Sequence, residues 1–314
     1  MHADYRKYLD PKVLAKIGGL ELRARLLVEG YFTGMHRSPY RGASVEFADH
    51  RQYVQGDDLR HLDWKVYGRT DKFYLKEYEQ ETNLTCVLVV DGSESMRYRS
   101  DNAPMSKHEY ATSLAAALAY LALRQRDSVG LALFDEKVTK YLRPSNHPAQ
   151  WKMLIQELLA ATGPGKTSIG TVLDDLAERM AQRSLVVVIS DMFDDPRKTL
   201  KGLRHLQYRQ HETIVFNVWD PAEITFPFAG PTRFEGLEGT GTLLTDPRWL
   251  RARYLEQVDR FIETLRGGCR QMRIDYERFD TSAALDTAIS AYLATRSAHI
   301  RSAGGGVLRA RAGG

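Results

Sequence analysis

Three short runs of almost uninterrupted apolar residues constrain the fold of this chain more than any other feature. They occupy residues 84–91 (LTCVLVVD), 128–134 (SVGLALF) and 185–190 (LVVVIS). Runs of this length, rich in branched side chains, are typical of strands that are buried on both faces of a sheet. Because parallel sheets bury their strands in this way, the runs predict the centre of an α/β domain.

Segments with helical periodicity separate these strands. The clearest is the Ala- and Leu-rich segment 108–125. Strands that alternate with helices predict a doubly wound, mostly parallel sheet flanked by helices. Further helices are predicted at 148–160, 169–182, 197–209, 248–267 and 283–295, and further strands at 137–142, 213–219 and 272–279.

Composition divides the chain into an extension, a main domain and a tail. The extension, 1–82, combines an apolar-periodic helix at 10–34 with a polar, aromatic-rich stretch of short strands and loops. The α/β domain is expected at 83–298, interrupted by an irregular or hairpin insertion near 221–246 that is rich in Pro, Gly and Phe. The Gly-rich end, 299–314, is predicted to be disordered.

Charge and composition exclude several classes of protein. The net charge is +4, and Arg301, Arg309 and Arg311 contribute +3 of it from a tail that has no acid. Nucleic-acid binding is not expected, because such proteins carry a basic stripe on the folded body. Two cysteines, Cys86 and Cys269, make no disulfide framework. No run approaches the roughly 20 apolar residues that span a bilayer, and the polar N-terminus lacks the apolar stretch of a signal peptide. A cytoplasmic protein without an integral membrane segment is therefore expected.

Polar side chains cluster where the predicted strands end. Asp91, Ser93 and Ser95 follow the first strand in a D-x-S-x-S pattern, and Asp191 follows the strand 185–190. Thr167 opens a helix between them. Ligands of open α/β sheets gather beyond the carboxyl ends of the strands, so these side chains are expected to converge.

These five residues supply only oxygen ligands, which suits a hard divalent cation. Mg²⁺ is the first choice, with Mn²⁺ or Ca²⁺ as alternatives. Each motif alone fits a second interpretation, because Asp, Ser and Thr at strand-to-helix junctions often cap helices. The occurrence of three such motifs in this order favours a metal site.

The segments DGSES, GKTSIG and VVVISD resemble the metal-ion-dependent adhesion site of von Willebrand factor A domains, with all five residues on motif positions. The resemblance implies that Ser93 and Ser95 bind the metal directly. It implies that Thr167 and Asp191 bind directly or through water, and that one coordination position stays open for an acidic side chain of a partner protein. Such a site binds a partner and performs no catalysis.

The segment 42–64 (GASVEFADHRQYVQGDDLRHLDW) resembles the signature block of the bacterial domain-of-unknown-function-58 family, and the segments 219–228 and 243–247 are similar to that family as well. The resemblance covers roughly residues 35–297. It implies an A-type domain and a partnership with MoxR-type AAA+ ATPases in chaperone or maturation systems. No activity is firmly established for the family.

The same block has two physical interpretations. Its charges alternate in sign between aromatic side chains, as in Glu46, Arg51 and Asp57 beside Phe47 and Tyr53. Directional Arg–carboxylate pairs of this kind suit a hydrogen-bonded network that docks on the main domain. The less favoured interpretation is a surface that binds a partner or ligand.

A phosphate-binding loop is the first rival function. Residues 160–167 (AATGPGKT) fit a relaxed form of that motif, and VVVISD mimics the strand and Asp that hold Mg²⁺ in P-loop ATPases. A P-loop must follow a strand. Here the preceding apolar residues have helical spacing, which favours a helix. They are Trp151, Leu154, Ile155, Leu158 and Leu159.

A phosphatase with Asp91 as nucleophile is the second rival. Enzymes of the haloacid-dehalogenase type place a second Asp two residues after the first, and Ser93 stands there in this chain. The sequence also contains no H-E-x-x-H motif for zinc, and residues 91–95 do not form a G-x-S-x-G nucleophile elbow. The sequence therefore predicts a non-enzymatic, metal-dependent protein-binding module, whose partner is a MoxR-type ATPase or a client protein with an acidic group.

Overall fold

The computed structural model describes residues 44–52, 66–68, 73–81, 84–160, 165–237, 241–285, 287–289 and 292. The described residues form two compact units, one within Arg37–Leu84 and one from Thr85 onwards. The helix predicted at 10–34 and the disordered tail predicted at 299–314 lie outside the described residues, and so does part of the final predicted helix, 283–295.

The smaller unit contains a two-stranded antiparallel sheet. Strand β1 (Ser44–Gln52) pairs with β2 (Tyr74–Glu81), with a register shift between Phe47 and Asp49. This agrees with the strands predicted for the aromatic-rich stretch. The rest of the signature block, residues 53–64, lies outside the described residues, so both of its physical interpretations stay open.

A six-stranded sheet forms the centre of the larger unit. Its strand order is β10-β7-β6-β3-β4-β5. Every neighbouring pair is parallel except β4 and the edge strand β5, which are antiparallel. The doubly wound, mostly parallel α/β sheet predicted from the apolar runs is confirmed. The strands are β3 (Thr85–Asp91), β4 (Ser128–Phe134), β5 (Val138–Ser145), β6 (Leu185–Ser190), β7 (Glu212–Trp219) and β10 (Asp275–Asp280).

Helices cover both faces of this sheet. They are α1 (Lys107–Arg124), α2 (Ala149–Ala160), α3 (Ile169–Arg179), α4 (Pro196–Tyr208), α5 (Pro221–Thr225) and α6 (Pro247–Gln271). Alternate residues of a strand point to opposite faces. Leu88 and Val90 accordingly pack in one buried cluster with α1 and α2, while Val87 and Val89 pack in another with α3, α4 and α6.

Two glycines let α3 and α4 approach closely. A Cβ added to Gly202 would lie 2.8 Å from the carbonyl oxygen of Gly170, and a Cβ added to Gly170 would lie 2.8 Å from the carbonyl oxygen of Lys198. Neither backbone oxygen can move without shifting its helix. The contact therefore fixes the start of α3, directly after the loop that carries Thr167.

The segment predicted as an insertion contains the short helix α5 and an antiparallel hairpin. Strands β8 (Thr232–Glu235) and β9 (Thr242–Thr245) pair with Phe234 opposite Leu243. Across the described residues, no helix combines the length and the apolar character needed to cross a bilayer. Both cysteines are buried and unpaired with each other.

Candidate metal centre

The carboxyl ends of β3 and β6 meet at one edge of the sheet. The two strands are parallel neighbours, with Val90 opposite Ile189. Asp91 therefore ends β3 beside the point where Ser190 ends β6 and Asp191 follows. Strand topology alone brings together two carboxylates that lie far apart in the sequence.

Asp91 is fully buried, and two groups hold its carboxylate. Its Oδ1 accepts a hydrogen bond from the backbone N–H of Ser93 at 2.9 Å. Its Oδ2 accepts one from the Ser190 hydroxyl at 2.5 Å. The Ser190 oxygen in turn accepts from the Met192 N–H at 2.9 Å. The sequence reasoning missed Ser190, although its place at the end of an apolar strand, directly before Asp191, was a usable signal.

A hydrogen-bonded chain links the two serines to Asp191. The hydroxyls of Ser93 and Ser95 are 3.1 Å apart, and Ser95 donates to Asp191 Oδ2 at 2.8 Å. The other oxygen, Oδ1, accepts from the Phe193 N–H at 3.1 Å. Both serines and Asp191 are buried. The structure thus places four of the five predicted residues in one connected cluster.

Thr167, the fifth predicted residue, lies half-buried in the loop before α3. The backbone N–H of Glu94 donates to the carbonyl of Gly165 at 3.2 Å, which brings this loop against the loop after β3. A Cβ on Gly165 would lie 2.7 Å from the Asp135 carboxylate, so glycine also lets this loop lie close to the loop after β4. The loop that carries Thr167 therefore adjoins the cluster.

Lys107 is the main residue of the site that sequence reasoning missed. It is the first residue of α1, it is fully buried, and its ammonium lies 2.8 Å from Asp191 Oδ2 and 2.5 Å from Glu223 Oε1. The same ammonium lies 4.6 Å from the centroid of the Phe193 ring. Burial disfavours the charged lysine, but attraction to the two carboxylates outweighs it, so the pKa of Lys107 is raised.

Burial also raises the pKa values of two carboxyl groups, those of Asp91 and Glu223. Loss of solvent, followed by repulsion from Asp191, raises the pKa of Asp91 to about 7, against the lowering effect of its hydrogen bonds. Burial is also the largest cause of a raised pKa at Glu223, partly offset by attraction to Lys107. One ammonium thus contacts two of the three carboxyl groups, and a further cation beside Asp91 and Asp191 would stabilise their ionised forms.

This donor set fits a hard cation. Two carboxylates and three hydroxyls offer oxygen ligands alone, and Mg²⁺ needs few protein ligands because it keeps several waters. Within the described ranges, no group of three or more His, Cys, Asp or Glu side chains is arranged to hold a metal ion. Any metal here would therefore depend on the serine and threonine hydroxyls, as the motif implies. The five predicted ligands stay a prediction.

Neighbouring segments are helical or lie at the ends of helices. Helix α2 occupies Ala149–Ala160, where a P-loop would require a strand, so the helix predicted before residues 160–167 is confirmed. Asp195 caps α4 by accepting from the Arg197 N–H at 2.9 Å. Asp194 accepts from the Gly170 N–H at 3.5 Å. These two acids therefore accept hydrogen bonds from backbone N–H groups at the N-terminal ends of α4 and α3.

A protein-family model described as "Protein of unknown function DUF58" matches residues 49–262, which is more than half of the chain. The chain belongs to this family. The matched range contains all five candidate ligands. The family predicted from the signature block is therefore confirmed.

Mycobacterial proteins resemble the DUF58 chain over most of its length. The uncharacterized protein Mb1516 of Mycobacterium bovis and the uncharacterized protein Rv1480 of Mycobacterium tuberculosis are each 28% identical over 232 residues. The aligned region covers 73% of this chain and 72% of each relative.

Solved structures with similar folds include BatB from Bacteroides thetaiotaomicron and the SpRpn10 VWA domain. BatB has a TM-score of 0.46 and 17% identity, over 68% of this chain and 98% of BatB. The SpRpn10 domain has a TM-score of 0.38 and 10% identity, over 65% of this chain and 92% of that domain. These TM-scores are too low to support the fold assignment. The assignment rests on the order of the sheet strands, which is the doubly wound arrangement predicted for a von Willebrand factor A-like DUF58 protein.

Proposed function

We propose that this DUF58 protein is a non-enzymatic binding module that uses a divalent cation, Mg²⁺ foremost, to recognise an acidic group of a protein partner. Ser93 and Ser95 bind the cation directly. Asp91 and Asp191 supply negative charge, partly through water, and Thr167 binds directly or through water. The partner's carboxylate completes the coordination sphere.

One observation carries this proposal. Four of the five motif residues form a single buried hydrogen-bonded cluster at the carboxyl edge of the sheet, where α/β proteins bind their ligands. Buried carboxyl groups with raised pKa values are typical of functional sites. A purely structural cap would need neither two neighbouring carboxylates nor their burial.

The family suggests the kind of partner. We extend the proposal to an adaptor or co-chaperone in the cytoplasm that works with a MoxR-type AAA+ ATPase in protein maturation or complex assembly. The acidic group then belongs either to the ATPase or to a client protein. The helix in place of a P-loop strand supports the assignment of nucleotide hydrolysis to the partner.

Calorimetry with MgCl₂ tests the metal. We expect the wild-type chain to bind Mg²⁺, and we expect Asp91→Ala and Ser95→Ala to lose at least tenfold in affinity. Glu136→Gln removes an exposed acid just after β4 and serves as the control. Equal Mg²⁺ affinity in all four proteins would contradict the proposed site.

Pull-down of a purified MoxR-type ATPase from the same genome tests the partner. Binding should require Mg²⁺, disappear in EDTA and disappear with Asp91→Ala, because the cation joins the two proteins. Binding that survives both treatments would contradict a metal-dependent interface.

A further inference from the structure

A cavity of about 890 Å³ lies next to the candidate metal site. Its walls come from the loop after β6, the end of β7, the segment 222–237 and helix α6. Cavities of this size hold a drug-sized ligand or several side chains. Eight of its lining residues are aromatic, among them Tyr98, Phe193, Trp219, Tyr254 and Phe261.

The cavity and the candidate metal site share two side chains. Ser95 lines the cavity and donates to Asp191 Oδ2 at 2.8 Å. Glu223 also lines the cavity, and it binds the Lys107 ammonium that contacts Asp191. An occupant of the cavity therefore lies beside the hydroxyl that is predicted to bind the cation.

The lining has the chemistry to hold an apolar side chain. Phe226, Phe228 and Phe234 contact one another with ring centroids 5.2–5.7 Å apart, so they form a continuous aromatic surface. Leu237 also lines the cavity and is 41% exposed, while Leu243, opposite Phe234, is 54% exposed. Paired residues of antiparallel strands share a face, so exposed apolar surface continues from the cavity onto the hairpin.

The charged residues of the lining are already paired within the chain. Glu223 pairs with Lys107, Glu235 with Arg233 and Arg260 with Glu256. The cavity therefore offers aromatic surface rather than an unpaired cation, and under the proposed function an acidic group of a ligand binds at the metal site instead.

We propose that this cavity binds a large apolar, preferably aromatic, side chain of the same partner segment whose acidic residue binds at the metal site. This inference rests on the proposed function and names the recognition sequence in chemical terms. Successive residues of an extended segment advance about 3.3 Å. The acidic and aromatic residues of the partner are therefore separated by only a few positions.

Selection from a library of random twelve-residue peptides tests the inference. The full chain is used in millimolar Mg²⁺, and the affinity of each enriched peptide is then measured by fluorescence anisotropy. Enriched peptides should combine Asp or Glu with Trp, Phe, Tyr or Leu within a few positions. Their binding should be lost in EDTA and with Ser95→Ala.

Two pairs of variants test the cavity itself. Gln257→Trp fills the cavity from an exposed position of α6, and Asp259→Trp adds the same bulk two residues away, outside the lining. Leu237→Asp places a charge in the lining, and Leu244→Asp adds it at an exposed position outside it. We expect at least a tenfold loss of peptide affinity for the first member of each pair and little change for the second.

The outcomes separate this inference from the proposed function. Peptides that need Mg²⁺ but tolerate both cavity variants would overturn the inference and leave the metal-dependent function intact. Peptides that need the cavity but bind equally in EDTA would contradict both, and would assign the cavity to an apolar ligand alone. One other result would overturn the inference alone: no enriched peptide for a chain that binds Mg²⁺ in calorimetry.

Discussion

The ammonium of Lys107 lies 2.8 Å from Oδ2 of Asp191, and neither side chain is exposed to solvent. Glu223 binds the same ammonium from the other side, with its side chain 14% exposed. A buried charge that loses its partner is strongly unfavourable. The first prediction follows from this contact.

Lys107→Met should lower the free energy of unfolding by about 3–5 kcal/mol, because it leaves two carboxylates uncompensated. Urea denaturation in EDTA provides the measurement. Lys137→Met, at an exposed lysine, is the control and should change stability little. Similar losses in the two variants would show that the buried ion pair contributes nothing specific.

Asp91 makes stability depend on pH. Its pKa is raised from 3.8 to about 7 in the folded chain, so the folded state binds more protons than the unfolded state between these values. The free energy of unfolding should therefore fall as pH rises from about 4 to 7. Asp91→Asn should remove this contribution. In EDTA, the free energy of unfolding of the variant minus that of the wild type should therefore increase as pH rises from 5 to 8.

Urea denaturation at pH 5, 6.5 and 8 tests this difference. Glu136→Gln, which neutralises an exposed acid, should keep the wild-type pH dependence. An Asp91→Asn variant whose stability follows the wild type at all three pH values would contradict the raised pKa.

Millimolar Mg²⁺ should raise the melting temperature of the wild-type chain. A ligand that binds only the folded state at a free concentration of 100 times Kd stabilises it by about 2.7 kcal/mol. Ser95→Ala should lose most of the shift, whereas Ser282→Ala, at an exposed serine outside the cluster, should keep it. An unchanged melting temperature in the wild type would count against a functional cation site.

Gly202→Ala should destabilise the domain by about 1–3 kcal/mol, because the new Cβ would overlap the backbone of α3. Gly267→Ala is the matched control: that glycine also lies within a helix, and its Cβ would meet no atom within 4 Å. Since alanine favours helix more than glycine does, this control should be neutral or stabilising by up to about 1 kcal/mol. Chemical denaturation measures the free energy of unfolding of both variants. Equal changes in the two would contradict the close approach of α4 to α3.

The strand-end residues could be predicted because a local pattern fixes them. Asp91 and Asp191 each follow an apolar run, and parallel strands bring their carboxyl ends to one edge of a sheet. Hydrophobic periodicity likewise located the main helices. The ends of the helices were predicted less exactly. Helix α6 extends to Gln271, whereas the spacing predicted that it ends at residue 267.

Lys107 and Glu223 could not be predicted in the same way. The lysine lies 84 residues from Asp191 and 116 residues from Glu223, and nothing local separates it from an exposed lysine at the start of a helix. Its burial follows from where α1 begins relative to the sheet. The aromatic cavity could not be predicted for a similar reason. Its walls come from separate stretches of the chain that only the fold brings together.

The buried Lys107 has a consequence for the order of events in the cell. Small zinc domains stay unfolded until their metal arrives, because the free energy of metal binding is the free energy of their folding. Here an ammonium of the chain itself already neutralises charge at Asp191. The domain can therefore complete its folding in the absence of metal, and under the proposed function the availability of Mg²⁺ would then determine when the folded protein binds its partner.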